Sequence, residues 1–205
     1  MYQKYVKRLI DIIFSILALI LLSPLMFTIA ILVKINLGSP IIFTQERAGI
    51  HGKVFTLYKF RSMTNDVDEN GELLPKKMRL TKFGRILRST SLDELPELIN
   101  ILKGDMSFIG PRPLLTEYLP RYNEEQKKRH NVRPGLTSLT AVNGRASLSW
   151  EERLKMDVWY VNNVSFILDC KIFLKTFTTV IKRENIDGDR GKFMGTENDQ
   201  KRESV

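Results

Sequence analysis

Residues 12–33 form an almost wholly apolar run of 22 residues with Ser23 and Pro24 at its midpoint. A straight helix of that length rises about 33 Å, enough to cross a hydrocarbon core of roughly 30 Å. Lys4, Lys7 and Arg8 precede the run, and Lys34 with a basic body follows it. Lysine and arginine are retained on the cytoplasmic side, so a crossing would strand one basic flank on the wrong face. Pro24 removes a backbone donor and clashes with the preceding turn, at a cost of about 3 kcal/mol that commonly appears as a kink. Cut at Ser23-Pro24, each half is about 12 residues and 18 Å long, the reach of one leaflet. The flanks favour a bent hairpin that enters and leaves by the same face, with residues 1–36 as the membrane segment. One span with a proline kink stays open as the alternative.

The rest of the 205-residue chain is the size of one globular domain, large enough for a core without disulfides or metals. One cysteine, Cys170, excludes an internal disulfide and fits a reducing compartment. The apolar run is too long for a secretory signal, and no small-x-small site follows Val33. A net charge of +9 points to nucleic acid, anionic lipid or phosphorylated substrates. Beside a membrane segment, headgroups and phosphate-bearing substrates take precedence. No RNA-binding signature, zinc spacing or helix-turn-helix pattern is present, so no nucleic-acid partner is expected.

Gly38-Ser39-Pro40 ends the first helix. Residues 41–44 and 53–60 are rich in β-branched and aromatic residues around Gly49 and Gly52, which predicts a short β-hairpin. Residues 64–78 read as a loop. The pattern is helical over 81–102 with one interruption at Pro96, looped over 104–113, and helical again over 114–130 and 150–162. Over 166–183, Ile167, Cys170, Phe173, Leu174, Phe177 and Ile181 share one helical face opposite lysines. That stripe suits either a helix packed on the core or an interfacial helix with its lysines at the headgroups. Residues 184–205 lack apolar periodicity and read as a disordered tail.

Two adjacent carboxylates, Asp93 and Glu94, sit just after Thr90-Ser91, behind a strongly basic stretch. Ser91 with Glu94 makes a capping box, which is the ordinary reading of such residues. Pro96 makes that helix start irregular, however, and Arg79, Lys82, Arg85 and Arg88 stand three apart just before it. Arg85 and Arg88 are helical neighbours. The spacing suits a solvated face or a site for a dianionic phosphate or pyrophosphate. Lys59 and Arg61 in KFRSM, Arg112 between two prolines, and Arg145 after Asn143-Gly144 are further candidates. His51, His130, Asp157 and Asp169 are expected at the surface, the aspartates in surface pairs.

The segments KRLIDI (7–12), SP (23–24), QERAG (45–49), YKFRSM (58–63), RPGL (133–136), NGR (143–145) and the long block 79–113 resemble the bacterial sugar transferases. These are also called monotopic phosphoglycosyl transferases. The resemblance covers residues 1 to about 183. It implies an α+β, mainly helical fold: a re-entrant membrane helix broken at Ser23-Pro24, a short β-hairpin, and interfacial amphipathic helices around a small cytoplasmic domain, 37–183. It also implies an enzyme at the cytoplasmic face of the bacterial inner membrane, with both termini in the cytoplasm. Such enzymes move a phospho-sugar from a UDP-sugar to undecaprenyl phosphate and release UMP, with Mg²⁺ as cofactor. The family's Asp-Glu dyad falls on Asp93, the nucleophile of a ping-pong route, and on Glu94, which helps bind the metal. Lys59, Arg61, Arg85, Arg88, Arg112 and Arg145 are then the expected phosphate and nucleotide-sugar ligands.

Within the family, the chain resembles the minimal members that start protein N-glycosylation, which implies UDP-N,N′-diacetylbacillosamine as donor and downstream glycosyltransferases as partners. Another UDP-sugar, for capsule or exopolysaccharide, or a non-catalytic lipid-binding scaffold, are the alternatives. After RPGL the family often continues Thr-Gly-Trp-x-Gln, whereas here Thr137-Ser138-Leu139-Thr140-Ala141 stands. That departure leaves sugar or nucleotide preference open.

Overall fold

The computed structural model describes residues 1–144 and 147–182. Arg145 and the 184–205 tail therefore lie outside the described residues. After one π-helical turn, Tyr2–Val6, helix α1 runs from Lys7–Leu37 and ends at Gly38, whose φ of 78° an L side chain adopts only with strain. The helix continues through Ser23 and Pro24. Ser23 Oγ donates to the Ile20 carbonyl at 2.8 Å, and Thr28 Oγ1 donates to the Pro24 carbonyl at 2.9 Å.

One face of α1 packs on the body from end to end. Lys7, Asp11, Ser15, Ile29 and Val33 are buried, spaced so that they share a face. Leu9, Phe14, Leu17, Ile20, Leu21, Phe27 and Ile35 on other faces are exposed. Asp11 accepts from Ser107 Oγ (3.0 Å) and the Phe108 amide (3.1 Å), while Lys7 donates to Asp169 at 2.5 Å. Ala18, Leu19 and Leu22 meet a core of Leu57, Leu98, Ile101 and Met106. Met26, Ile29, Ala30 and Val33 meet Phe60 and Leu87.

Strands β1 (Ile42–Ala48) and β2 (Val54–Phe60) form the expected antiparallel hairpin, closed by the Ile50–Gly52 turn. Helices α2 (Lys76–Arg79) and α3 (Lys82–Ser89) follow. The expected helix over 81–102 is interrupted earlier than Pro96: α3 ends at Ser89, Ser91 turns left-handed (φ 57°), and Leu92–Glu94 is a 3₁₀ turn. Ser91 makes no side-chain cap, so the capping-box reading fails: its backbone is left-handed, whereas a capping residue needs extended backbone. Helix α4 (Glu97–Lys103) starts beyond Pro96. The buried Asn100 side chain ties α4 to β2, accepting from the Tyr58 amide and donating to the Thr56 carbonyl.

The loop expected over 104–113 contains β3 (Ser107–Ile109), which pairs in parallel with β4 (Gly135–Thr137). The backbones meet closely: a Cβ on Gly135 would sit 2.1 Å from the Gly110 nitrogen. The helix expected over 114–130 is instead 3₁₀ turns around α5 (Glu124–Lys127), broken by Pro120 and capped anew at Asn123. Helices α6 (Leu139–Val142), α7 (Trp150–Asn162) and α8 (Phe166–Lys182) complete the fold.

Three surface expectations are corrected. His130 is buried with Nδ1 donating to the Gly49 carbonyl at 3.1 Å, whereas His51 is exposed as expected. Asp157 is buried against Arg129, and Asp169 against Lys7, Tyr2 and Tyr160. Such carboxylates enter the interior only because each finds a cation or hydroxyl donors. The apolar stripe of α8 does not pack on the core: Ile167, Phe173, Leu174 and Phe177 are exposed, and Asp169 and Ile172 form its buried face. The lone Cys170 is half-buried and free.

Candidate active site

A cavity of about 350 Å³ opens where β2, α3, the 3₁₀ turn, α4 and the Pro111–Pro113 loop converge. It is lined by Lys59, Arg61, Arg88, Asp93, Glu94, Glu97 and Arg112, together with Arg47, Arg129, Trp150, Arg153 and Asp157. Local sequence explains each placement. Lys59 comes from the half-buried face of β2. Gly84 lets α3 lie against the strand's exit, since a Cβ there would fall 1.8 Å from the Ser62 carbonyl oxygen. That contact brings Arg88 to the wall, where its Nε donates to Ser62 Oγ at 2.8 Å. The left-handed Ser91 and the 3₁₀ turn then present Asp93 and Glu94 to the cavity.

The two carboxylates stand in opposite states. Glu94 Oε1 accepts from Arg112 at 2.5 Å and from Lys59 at 2.7 Å. Burial pushes the Glu94 carboxyl up, but these two cations outweigh it and hold the group well below the usual carboxylate range. Asp93, 8% exposed, takes no hydrogen bond or ion pair from the described residues. Burial first, then the charge of Glu94, pushes it up to about 6 despite nearby Lys59, Arg88 and Arg112. Glu94 is thus a fixed, cation-bound anion, and Asp93 is a more basic carboxylate with unengaged lone pairs.

Of the candidates named from sequence, Lys59, Arg88, Arg112, Asp93 and Glu94 meet at one wall. Arg61 borders the cavity, yet its guanidinium donates to the Ser39 carbonyl (2.7 Å) and to the Leu37 carbonyl, closing the end of α1. Arg85 is exposed on α3 and does not line the cavity. Ser23 and Pro24 lie in α1, remote in sequence from every lining residue. Thr140, within the departing segment after RPGL, reaches the cavity wall and bonds Ser138.

Sequence reasoning missed Glu97 and the Arg129–Asp157 pair. Glu97 stands three residues after Glu94, a helical spacing that could have flagged it. Arg129 and Asp157 lie far apart in sequence, and no local pattern joins them. Arg129 donates to Asp157 Oδ2 from Nε (3.1 Å) and Nη2 (2.8 Å), and to the Arg112 carbonyl at 2.7 Å. This buried pair holds the loop that carries Arg112.

Among the described residues, no three His, Cys, Asp or Glu side chains converge as a metal cage. Mg²⁺ does not need one, because it commonly binds through one or two carboxylates with waters and substrate phosphates. Both cations donate to Glu94 Oε1, and Oε2 takes no side-chain hydrogen bond from the described residues. The donor set fits such an ion.

The bacterial sugar transferase family model matches residues 2–183. The chain is 52% identical to the uncharacterized sugar transferase EpsL of Bacillus subtilis over 88% of this chain and 89% of that one. It is 39% identical to the undecaprenyl-phosphate galactose phosphotransferase of Salmonella typhimurium, over 89% of this chain and 42% of the relative. A UDP-glucose:undecaprenyl-phosphate glucose-1-phosphate transferase of Klebsiella pneumoniae is 43% identical, over 86% and 39%. The chain thus spans about two-fifths of those longer enzymes and nearly all of EpsL. With the family model matching residues 2–183 and a relative 52% identical over most of both chains, this chain belongs to the bacterial sugar transferase family.

Proposed function

We propose that the protein transfers a phospho-sugar from a UDP-sugar to undecaprenyl phosphate at the inner face of the bacterial inner membrane. The observation that carries this reading is the division of labour in the dyad: one carboxylate bound by cations, its neighbour free of partners. A carboxylate attacks a phosphorus well only when its lone pairs are unengaged and the charge of the phosphates is masked. Asp93 meets the first condition. An Asp93 oxygen attacks the β-phosphorus, the bond from that phosphorus to the bridging oxygen breaks, and UMP departs with the electron pair. An aspartyl phospho-sugar remains. A phosphate oxygen of undecaprenyl phosphate then attacks the same phosphorus, breaking the bond to Asp93 and restoring its carboxylate.

Glu94, through Oε2, would hold Mg²⁺, which when bound neutralises phosphate charge. Arg112 and Arg88 offer guanidinium donors to the phosphates, and Lys59 supplies a fixed positive charge beside them. Arg145 remains a proposed ligand, as does Arg61 as a neighbouring cation.

The donor sugar is proposed as UDP-N,N′-diacetylbacillosamine for protein N-glycosylation, with downstream glycosyltransferases as consumers. UDP-galactose and UDP-glucose are the comparison donors. Thr140 at the wall is where the departing segment would bear on that choice.

The membrane topology proposed is re-entrant. Support comes from α1: both its ends bind the same body, through Lys7 and Asp11 at one end and Val33 and Arg61 at the other. A perpendicular span would drag β2 and α4 into the hydrocarbon with their polar groups. The exposed apolar face of α1 and the exposed stripe of α8 are the surfaces proposed to enter the inner leaflet. A cysteine at Lys4, in a Cys170→Ser background, is expected to resist an impermeant thiol reagent added outside intact cells; labelling from outside would refute the topology.

Intact mass spectrometry tests the chemistry. Incubation with UDP-sugar and Mg²⁺ but no lipid acceptor is expected to add one phospho-sugar to the wild type and none to Asp93→Asn. Turnover without an adduct would mean direct transfer in a ternary complex. Membrane binding without UMP release from any of several UDP-sugars would favour the scaffold alternative.

A further inference from the structure

Lys59 Nζ lies between two carboxylates, 2.7 Å from Glu94 Oε1 and 3.1 Å from Glu97 Oε1. Its side chain and that of Glu94 are each 17% exposed, and that of Glu97 is 4% exposed. Glu97 is the first residue of α4 and lines the same cavity. Its position is set by the buried Pro96 before it and by Asn100, one turn later, bonded to β2. Neither the dyad nor the basic residues account for this third acidic group.

We propose that Glu97 is a positioning residue that retains Lys59 when Glu94 gives its charge to a divalent cation. This inference rests on the proposed role of Glu94 in metal binding. An ammonium in a poorly solvated site stays with an anion, because release into that site leaves a charge unpaired. With Glu97 ionised beside it, Lys59 loosens from Glu94 and keeps one full ion pair. With a neutral group at 97, Glu94 is the nearest anion left to Lys59. The ammonium then holds to Glu94 and competes with the incoming cation. Arg112 shares Glu94 Oε1 and feels the charge of Glu97 at longer range, but among the described residues the ion pair to Glu97 is made by Lys59.

The experiment is a double-mutant cycle on the full chain in detergent or nanodiscs, with Mn²⁺ binding read by electron paramagnetic resonance rather than by turnover. Glu97→Gln is nearly isosteric, and its thermal unfolding checks folding. It is expected to raise the Kd for Mn²⁺ by about three- to tenfold in the Lys59 background, the range of coupled neighbours. In a Lys59→Met background the same substitution is expected to change the Kd by less than about twofold. If Lys59→Met does not fold, Lys59→Gln completes the cycle. An equal loss in both backgrounds would mean Glu97 attracts the metal directly, and no loss would mean it has no part; either overturns the proposal. Failure of the wild type itself to bind Mn²⁺ would overturn the metal role of Glu94, a different and distinguishable result.

Discussion

Asp157→Asn isolates the charge of one buried ion pair from its shape. In the native chain a single Asp157 oxygen accepts two bonds from Arg129, at 2.8 and 3.1 Å. The two side chains are 6% and 2% exposed. An asparagine oxygen can accept the same two bonds, so the substitution removes the negative charge and leaves a guanidinium buried among neutral groups. Breaking such a pair from one side costs about 3–5 kcal/mol, and with hydrogen bonds retained the lower end, about 3 kcal/mol, applies. At about 2–4 °C per kcal/mol for a chain of this size, the melting temperature should fall by about 6–12 °C. Asp157→Ala, which also removes the acceptor, should fall further. Differential scanning fluorimetry in detergent measures both. Lys155→Ala, which breaks the exposed Glu151–Lys155 pair, serves as the control and should leave the melting temperature nearly unchanged. A shift for Asp157→Asn as small as the control's would refute the claim that this pair holds the Arg112 loop.

Three further outcomes are expected. Because Asp93 must be ionised to attack and burial has pushed it up to about 6, kcat/KM should fall about tenfold per pH unit below that value; a flat profile from pH 7 to 5 would contradict the assignment. Gly84→Ala should lower stability and displace Arg88, since its methyl would collide with the Ser62 carbonyl at 1.8 Å; a cost of about 1–3 kcal/mol in a denaturant titration is the expected scale. Burial, with the neighbouring Arg129, lowers His130 to about 4 in the fold against 6.5 when free, so its contribution to stability is complete above pH 6.5 and lost as pH falls towards 4. Replacing His130 with Gln should flatten that part of the stability profile.

Local chemistry in the chain was enough to find the elements whose signals are short-range. The apolar run, the Gly49–Gly52 hairpin and the helices beginning at Trp150 and Phe166 appear within a few residues of where periodicity and turn residues put them. Asp93 and Glu94 were legible because they are adjacent and follow a basic repeat. Ser91 misled for a physical reason: a capping residue needs extended backbone, and here the chain turns left-handed to reverse between α3 and α4.

Long-range pairing lay beyond that reading. β3 and β4 are three residues each and are held by glycine-to-glycine approach, a contact no local pattern encodes. Burial of Asp157, Asp169 and His130 depends on partners 28, 162 and 81 residues away. The same holds at the cavity: residue types announced phosphate chemistry, but the difference between a cation-bound Glu94 and an unpartnered Asp93 arises only when β2 and the Arg112 loop fold onto the turn. Charge is a property of residues; desolvation and pairing belong to the packed chain.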